Sequence, residues 1–188
     1  MLHNSNNMYT IFISLLIIAQ IFLLFVLLVL FYWMVRGLFG IPWIRTRKIF
    51  SKAMLDLAEV KPNETVVDYG CGDGAIVIHA ATSYGAFGIG YEYLFLLVEY
   101  AKWCVRFAGV GKRVSIRYKN FLSGEKLPHA DVVCTYLFPE VNAKLEPLLL
   151  RDYPSGTRVV SRTFTFPTLP EKKSVVVNGE TVRLYEVP

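Results

Sequence analysis

Apolar and polar positions divide this chain into stretches of very different character. Residues 11–35 are apolar almost without a break, interrupted by Ser14 and Gln20. A helix needs about 20 such residues to cross the hydrocarbon of a bilayer, so the run predicts a transmembrane helix. Tyr32 and Trp33 stand at its end, where interfacial aromatics are expected. A cleaved signal peptide fits less well: no Lys or Arg precedes the run, the run is too long, and no small-residue cleavage site follows. The core helix of a globular domain would show a polar face, and this one has none.

Beyond residue 36 the pattern becomes that of a globular domain. Residues 37–42 have linker composition. Over 46–60, Ile49, Phe50, Ala53, Met54, Leu57 and Val60 recur at helical spacing, with Lys52, Asp56 and Glu59 between them. This predicts an amphipathic helix, ended by Pro62, that covers a sheet. Then β-favouring runs alternate with helical ones. Strands are predicted at 65–68, 86–92, 113–119, 131–136 and 157–163. Helices are predicted after the glycines at 70–74, over 93–108, and over 140–150 with a break or kink at Pro147. Gly85 is placed to close the first of these helices. The tail carries two strand-like runs around Asn178 and Gly179, a strong signal for a tight hairpin. The link over 164–173 is short and proline-containing, leaving no room for a further helix. The predicted organisation is a tail and anchor (1–36), a linker with an amphipathic helix (37–62), and an α/β domain (63–188).

Composition adds little. The 188 residues, less the anchor, leave enough chain for one ordinary core. The net charge of +5 is mild and no arginine-rich tract is present, so no nucleic-acid partner is expected. Cys71, Cys104 and Cys134 have no metal-ligand spacing and fall in or beside core elements, which predicts free thiols and no metal site. Charge placement matters more. No Lys or Arg precedes the apolar run, whereas Arg36, Arg45, Arg47, Lys48 and Lys52 follow it. The positive-inside bias therefore puts the domain on the cytoplasmic side, or the matrix side of a mitochondrial membrane, with the lipid bilayer as a partner. The helix over 93–108 is apolar nearly all round. Phe95, Val98, Trp103 and Val105 could form a patch facing a partner or the membrane, or could simply pack against the sheet.

The candidate chemistry sits at 65–81, TVVDYGCGDGAIVIHAA. A strand runs into Asp68, glycines follow at 70, 72 and 74, and a helix begins. Glycine allows a sharp turn and lets a ligand lie against the backbone, while the helix N-terminus offers free N–H groups. The D-x-G-x-G-x-G spacing, with a second acid at Glu92, differs from the G-x-G-x-x-G of dinucleotide folds. It resembles motif I of the class I S-adenosylmethionine-dependent methyltransferases. That resemblance implies a Rossmann-like class I methyltransferase sheet, parallel except for its C-terminal antiparallel hairpin, behind one transmembrane helix.

It also implies S-adenosyl-L-methionine as cofactor, with Asp68, Gly70, Cys71, Gly72, Glu92, Asn120 and Phe121 as the residues that bind it. Asp68 would orient the glycine loop and accept from the cofactor's amino group. Gly70 and Gly72 would permit close approach, and Glu92 would accept the ribose hydroxyls. Asn120 and Phe121 stand where this fold keeps its adenine contacts, although Asn120 also reads as a turn residue. Asp73 reads as a helix cap. His79 and His129 are poor candidates for a base, His79 being placed to face solvent or the sheet edge. After the fourth strand, Tyr136, Leu137, Phe138 and Pro139 replace the Asn/Asp-Pro-Pro-aromatic motif of adenine-N6 and glutamine methyltransferases. Tyr136 could there line an acceptor channel for an amine.

Over 36–188 the chain resembles a narrower family, the small membrane-anchored protein-lysine methyltransferases that modify the adenine nucleotide translocase and the ATP synthase c-subunit. The residues carrying this are the anchor, the segment 41–46, VVDYGCGDGAIVI, GYE and its aromatic helix. DVVCTYLFPEVNAKLEPLL, GTRVVSRTF and the closing hairpin complete the set. Tyr69 and Cys71 depart from the commoner residues of the motif, and Arg47 stands where relatives often carry proline. The resemblance implies in-line methyl transfer to a neutral lysine amine of a membrane protein, with no dedicated base. Two other readings remain open: a methyltransferase of RNA or of a small lipophilic molecule, and a non-catalytic scaffold that keeps the fold. The sequence does not set an oligomeric state.

Overall fold

The computed structural model describes residues 2–39 and 44–188. The chain divides into two compact units, Met1–Trp43 and Ile44–Pro188. In the first, helix α1 (Leu2–Phe39) contains the stretch Ile11–Met34, whose 24 residues are long and apolar enough to cross a membrane. Its aliphatic and aromatic side chains are exposed along that stretch, as expected of a helix made for an apolar surround. Ile41 and Pro42, to which the family resemblance extended, lie outside the described residues.

The second unit is built on a seven-stranded sheet in the order β3-β2-β1-β4-β5-β7-β6. Strands β1 (Thr65–Tyr69), β2 (Phe87–Glu92), β3 (Val114–Tyr118), β4 (Val132–Thr135) and β5 (Arg158–Arg162) are parallel. Strands β6 (Glu171–Val177) and β7 (Glu180–Glu186) form an antiparallel hairpin, and β7 pairs antiparallel with β5. This is the expected class I methyltransferase order. The hairpin turns on Asn178 (φ 47°) and Gly179 (φ 80°), the two successive left-handed residues that a tight primed turn requires. No helix intervenes between β5 and β6, as the short link 164–173 implied.

Strand alternation sorts the core into layers. Val66, Val132 and Val160 face α2 (Lys48–Leu57) and α3 (Ala75–Tyr84), meeting Phe50, Met54, Leu55, Ile76 and Ala80. Val67, Val133 and Val159 face the other way, onto Leu145 and Leu149 of α5 (Pro139–Asp152). Helix α4 (Phe95–Phe107) packs Val98, Ala101 and Val105 against α3 and β3. Because β1 lies between β2 and β4, the chain departs from it in opposite directions. The crevice at that reversal, beyond the strands' carboxyl ends, is where open α/β sheets bind ligands.

Four local expectations change. Helix α2 stops at Leu57 rather than 60, because Glu59 takes a left-handed φ of 51° and Val60 N–H closes onto the Leu55 carbonyl. Helix α5 runs through Pro147 without a break. Leu145 and Leu149, both fully buried, hold the turns on either side of the proline on one core face, which offsets the lost hydrogen bond. Val98 and Val105 are core residues, so they take no part in any exposed patch on α4. His79 faces α2, not solvent: it is buried, with Nδ1 2.8 Å from Ser51 Oγ. That burial, followed by the Lys48 charge, lowers its pKa.

Candidate active site

The bend after β1 is shaped by glycine. Gly70, Gly72 and Gly74 have φ of 75°, 54° and 76°, a left-handed zigzag that residues with a Cβ adopt only under strain. Gly70 N–H and Cys71 N–H both donate to the Tyr91 carbonyl (2.9 and 3.0 Å), which ties the bend to β2. Gly74 N–H donates to the Cys71 carbonyl at 2.8 Å, and α3 begins. Its first-turn N–H groups have no intrahelical acceptor and open toward the crevice end of the sheet.

Three carboxylates gather at this bend. Glu92, at the end of β2, points to it: Oε2 accepts Gly72 N–H at 3.0 Å, while Oε1 accepts Tyr93 and Leu94 N–H at 2.7 and 2.9 Å. A carboxylate offers about four lone-pair directions, so one on Oε2 stays available. Asp73 caps α3 through Ala75 N–H (3.3 Å), as its position suggested, and is also ion-paired with Arg45 Nε at 2.6 Å. Asp68 differs from both. It is 3% exposed, and no hydrogen bond among the described residues offsets that burial. Burial first, then the charges of Glu92 and Asp73, push its pKa up to about 8.

This is an electrostatically unfinished site. Among the described residues, Asp68, Asp73 and Glu92 are met by the single guanidinium of Arg45, which is itself well exposed. A buried acid without hydrogen-bond donors, beside a glycine bend, fits a ligand that brings positive charge and hydroxyl donors. S-adenosyl-L-methionine, with its ammonium, sulfonium and ribose hydroxyls, is such a ligand.

The other predicted site residues are placed as follows. The Cys71 thiol is buried beneath Gly90, where an added Cβ would come within 2.6 Å of Sγ. Burial raises its pKa well above the usual thiol value, so only the Cys71 backbone faces the bend. Phe121 lies on the opposite side of the sheet, its ring centroid 5.1 Å from that of Tyr69 in the α5 core. Asn120 Oδ1 accepts Leu122 N–H at 3.0 Å, which is the turn role.

Tyr136 belongs to a second cluster. It follows Thr135, the β4 partner of Tyr69, so it emerges one strand spacing of about 4.8 Å from the bend. Its ring stacks on Phe164 (6.0 Å, 19°), and Phe138 leans on the same ring at 5.3 Å. Behind them the buried Arg162 guanidinium lies 4.2 Å from the Tyr136 centroid and 3.7 Å from that of Phe50. Arg162 donates twice to Glu180, each bond 2.8 Å, and these bonds hold the Glu180 carboxyl below its ordinary pKa. Thr163, at a left-handed φ of 64°, donates to the same carboxylate at 2.7 Å.

Arg162 and Phe164 were not singled out from the sequence, and Arg45 and Phe138 were named there only as a flanking cation and as part of the segment after β4. Arg45 and Arg162 do lie in the 41–46 and GTRVVSRTF segments that carried the family resemblance, and that was the available signal.

Residues 68–173 match the ANTKMT methyltransferase domain family. A protein-lysine N-methyltransferase of Saccharolobus islandicus is 32% identical over 152 residues, covering 78% of this chain and 94% of the relative. The mouse adenine nucleotide translocase lysine N-methyltransferase is 31% identical over 147 residues, and this chain spans 63% of that protein's length. Among solved structures, RNA methyltransferase from Salinibacter ruber in complex with S-adenosyl-L-homocysteine superimposes with a TM-score of 0.74 at 36% identity. That match covers 77% of this chain and 94% of the other.

Proposed function

Because the chain belongs to the ANTKMT methyltransferase family and is an S-adenosylmethionine-dependent methyltransferase, we propose that it methylates a lysine side chain of a membrane or membrane-associated protein. The observation that carries the reading is the donor-less buried Asp68 beside Asp73 and Glu92 at the glycine bend, one strand away from an aromatic cluster suited to an alkyl amine. Asp68 accepts from the cofactor's ammonium, Gly70 and Gly72 let the ligand approach the backbone, and the open lone pair of Glu92 takes a ribose hydroxyl. When bound, the cofactor supplies the electrophilic methyl group. Asn120 and Phe121 contribute less than the resemblance implied, since one is committed to its turn and the other to the core.

On the acceptor side, Tyr136, Phe138 and Phe164 line the approach of the amine. A lysine with a reference pKa of about 10.4 must arrive neutral. Loss of water around the amine disfavours its charged form, and the Arg162 cation behind Tyr136 does so too, though Glu180 offsets part of that charge. Water exclusion and positioning are then the protein's share of the chemistry. Relatives named for lysine methylation support this choice of acceptor.

The helix Ile11–Met34 supports a membrane setting. The cations that follow it favour the cytoplasmic or matrix side for the catalytic domain (63–188), with 1–36 as the anchor. The test is to incubate the purified full chain with methyl-labelled cofactor and membranes, then locate the label by mass spectrometry. Acid-stable methyllysine in membrane proteins is expected. The name of the Salinibacter relative favours a second reading, RNA as acceptor; label confined to RNA would establish it and overturn the lysine proposal.

A further inference from the structure

Helix α4 has two unlike faces. Val98, Ala101 and Val105 are buried, whereas Leu96, Tyr100, Trp103 and Phe107 recur at i, i+4, i+7 and i+11 on the opposite side. At 100° per residue those four lie within about 60° of one another, a single stripe turned away from the core. Leu96 is 72% exposed, Trp103 57% and Phe107 82%. Trp103 and Phe107 stack on each other at 5.8 Å. Nothing in the domain's own folding calls for such a stripe on the outward face of a helix whose inward face is already packed.

Beside the stripe lies a basic recess of about 470 Å³, open to solvent and lined by Lys102, Arg106 and Lys112 with Gly109, Gly111 and the edge of β3. Arg106 flanks Trp103 and Phe107 on the helix surface, whereas Lys102 turns about 100° away from Trp103, toward the recess. Glu99 is the acid on that flank, paired with Lys102 at 2.7 Å.

We propose that this face of α4 docks on an anionic lipid surface, with the stripe in the headgroup–acyl boundary and the recess holding a lipid phosphate or carboxylate. Three observations select lipid. A row of Leu, Tyr, Trp and Phe flanked by Lys and Arg is the composition of helices that lie in the membrane interface. The recess supplies charge complementary to anionic headgroups and no acceptor pattern for a base edge. Finally, the same chain carries a helix long and apolar enough to cross a bilayer, so a lipid surface is at hand. RNA is served less well, because Leu96 cannot stack on a base. The inference concerns how the domain meets the bilayer and does not depend on which acceptor is methylated.

The experiment uses the full chain in nanodiscs of phosphatidylcholine, with or without phosphatidylserine. Trp33→Phe and Trp43→Phe leave Trp103 as the reporter. Side chains in the interface sit about 5–10 Å into the bilayer, so brominated acyl chains should lower Trp103 emission roughly two-fold, more so with phosphatidylserine. Two further variants, Lys102→Glu/Arg106→Glu/Lys112→Glu and Leu96→Ser/Phe107→Ser, should restore the emission while retaining cofactor binding, which reports that they are folded. Three results would overturn the proposal: Trp103 emission indifferent to bromination, quenching that persists unchanged in both variants, or a response to single-stranded RNA in place of lipid.

Discussion

The two ends of the sheet's crevice treat buried charge in opposite ways. Among the described residues, three acids at the glycine bend face one exposed guanidinium, and Asp68 has burial without donors. At the β5 corner, one strand beyond the neighbouring β4, the Arg162 guanidinium is largely matched, with Nη1 alone left without a hydrogen bond among the described residues. It makes two hydrogen bonds to Glu180, its faces lie against Phe50 and Tyr136, and Thr163 takes up the same carboxylate. The first arrangement weakens the ligand-free protein and gains only when a cationic ligand arrives. The second stiffens the protein whether a ligand is present or not. Residue type alone does not distinguish a binding acid from a structural one; the tally of partners does.

The comparison is most easily broken at Asp68. Replacing it with Asn should weaken S-adenosylmethionine binding by about 100-fold, measured by calorimetry, because a charge-assisted contact is lost. Because Asp68 is a buried acid without donors, the same variant should unfold at an equal or higher temperature at neutral pH. A fall in melting temperature with unchanged affinity would reverse the assignment.

At the matched corner the pattern inverts. Arg162→Met strands Glu180 and opens the Tyr136 stack, so stability should fall by about 2 kcal/mol, discounted because Glu180 is partly exposed. For a chain of this size that lowers the melting temperature by roughly 4–8 °C. Cofactor affinity should change little, and methyl transfer should fall through loss of Tyr136 positioning.

Proton linkage sharpens the contrast further. Asp68 has a folded pKa of about 8 against an ordinary 3.8, so between those values the ligand-free folded state holds a proton that the unfolded state does not. Its contribution to stability is therefore present at acidic pH and is lost as pH rises through about 8. Binding of the cationic cofactor favours the ionised carboxylate. Near neutral pH it should therefore release up to about one proton, seen as a calorimetric enthalpy that varies with the buffer's ionisation enthalpy. Asp68→Asn should abolish that variation.

The smallest effect is expected at Arg45. Its pair with Asp73 has an exposed cation, so Arg45→Ala should alter stability by no more than about 1 kcal/mol in chemical denaturation. A loss as large as that of Arg162→Met would mean that the bend is a structural charge network after all.

Much of the fold could be read in advance because it rests on local rules. The glycine spacing could serve only a bend with positive φ, Asn178–Gly179 could serve only a tight hairpin, and Ile11–Met34 had no polar face to hide. The glycine bend and the acid closing β2 were legible for the same reason. What escaped was long-range. Phe121 gives no sign in the sequence of its contact with Tyr69, and His79 reads as facing solvent or the sheet edge until Ser51 meets it. Nor does the 46–60 periodicity reveal that Glu59 ends the helix early.

Periodicity and backbone sterics act between residues a few positions apart, so the amino-acid sequence by itself determined the order of elements, the bend, the hairpin and the apolar helix. Which side of α4 is left bare, that Arg162 lies behind Tyr136, and that Asp68 is buried without a donor were decided by the tertiary structure alone. Burial and charge pairing join residues tens of positions apart, and their free energies exist only once the sheet has brought those residues together.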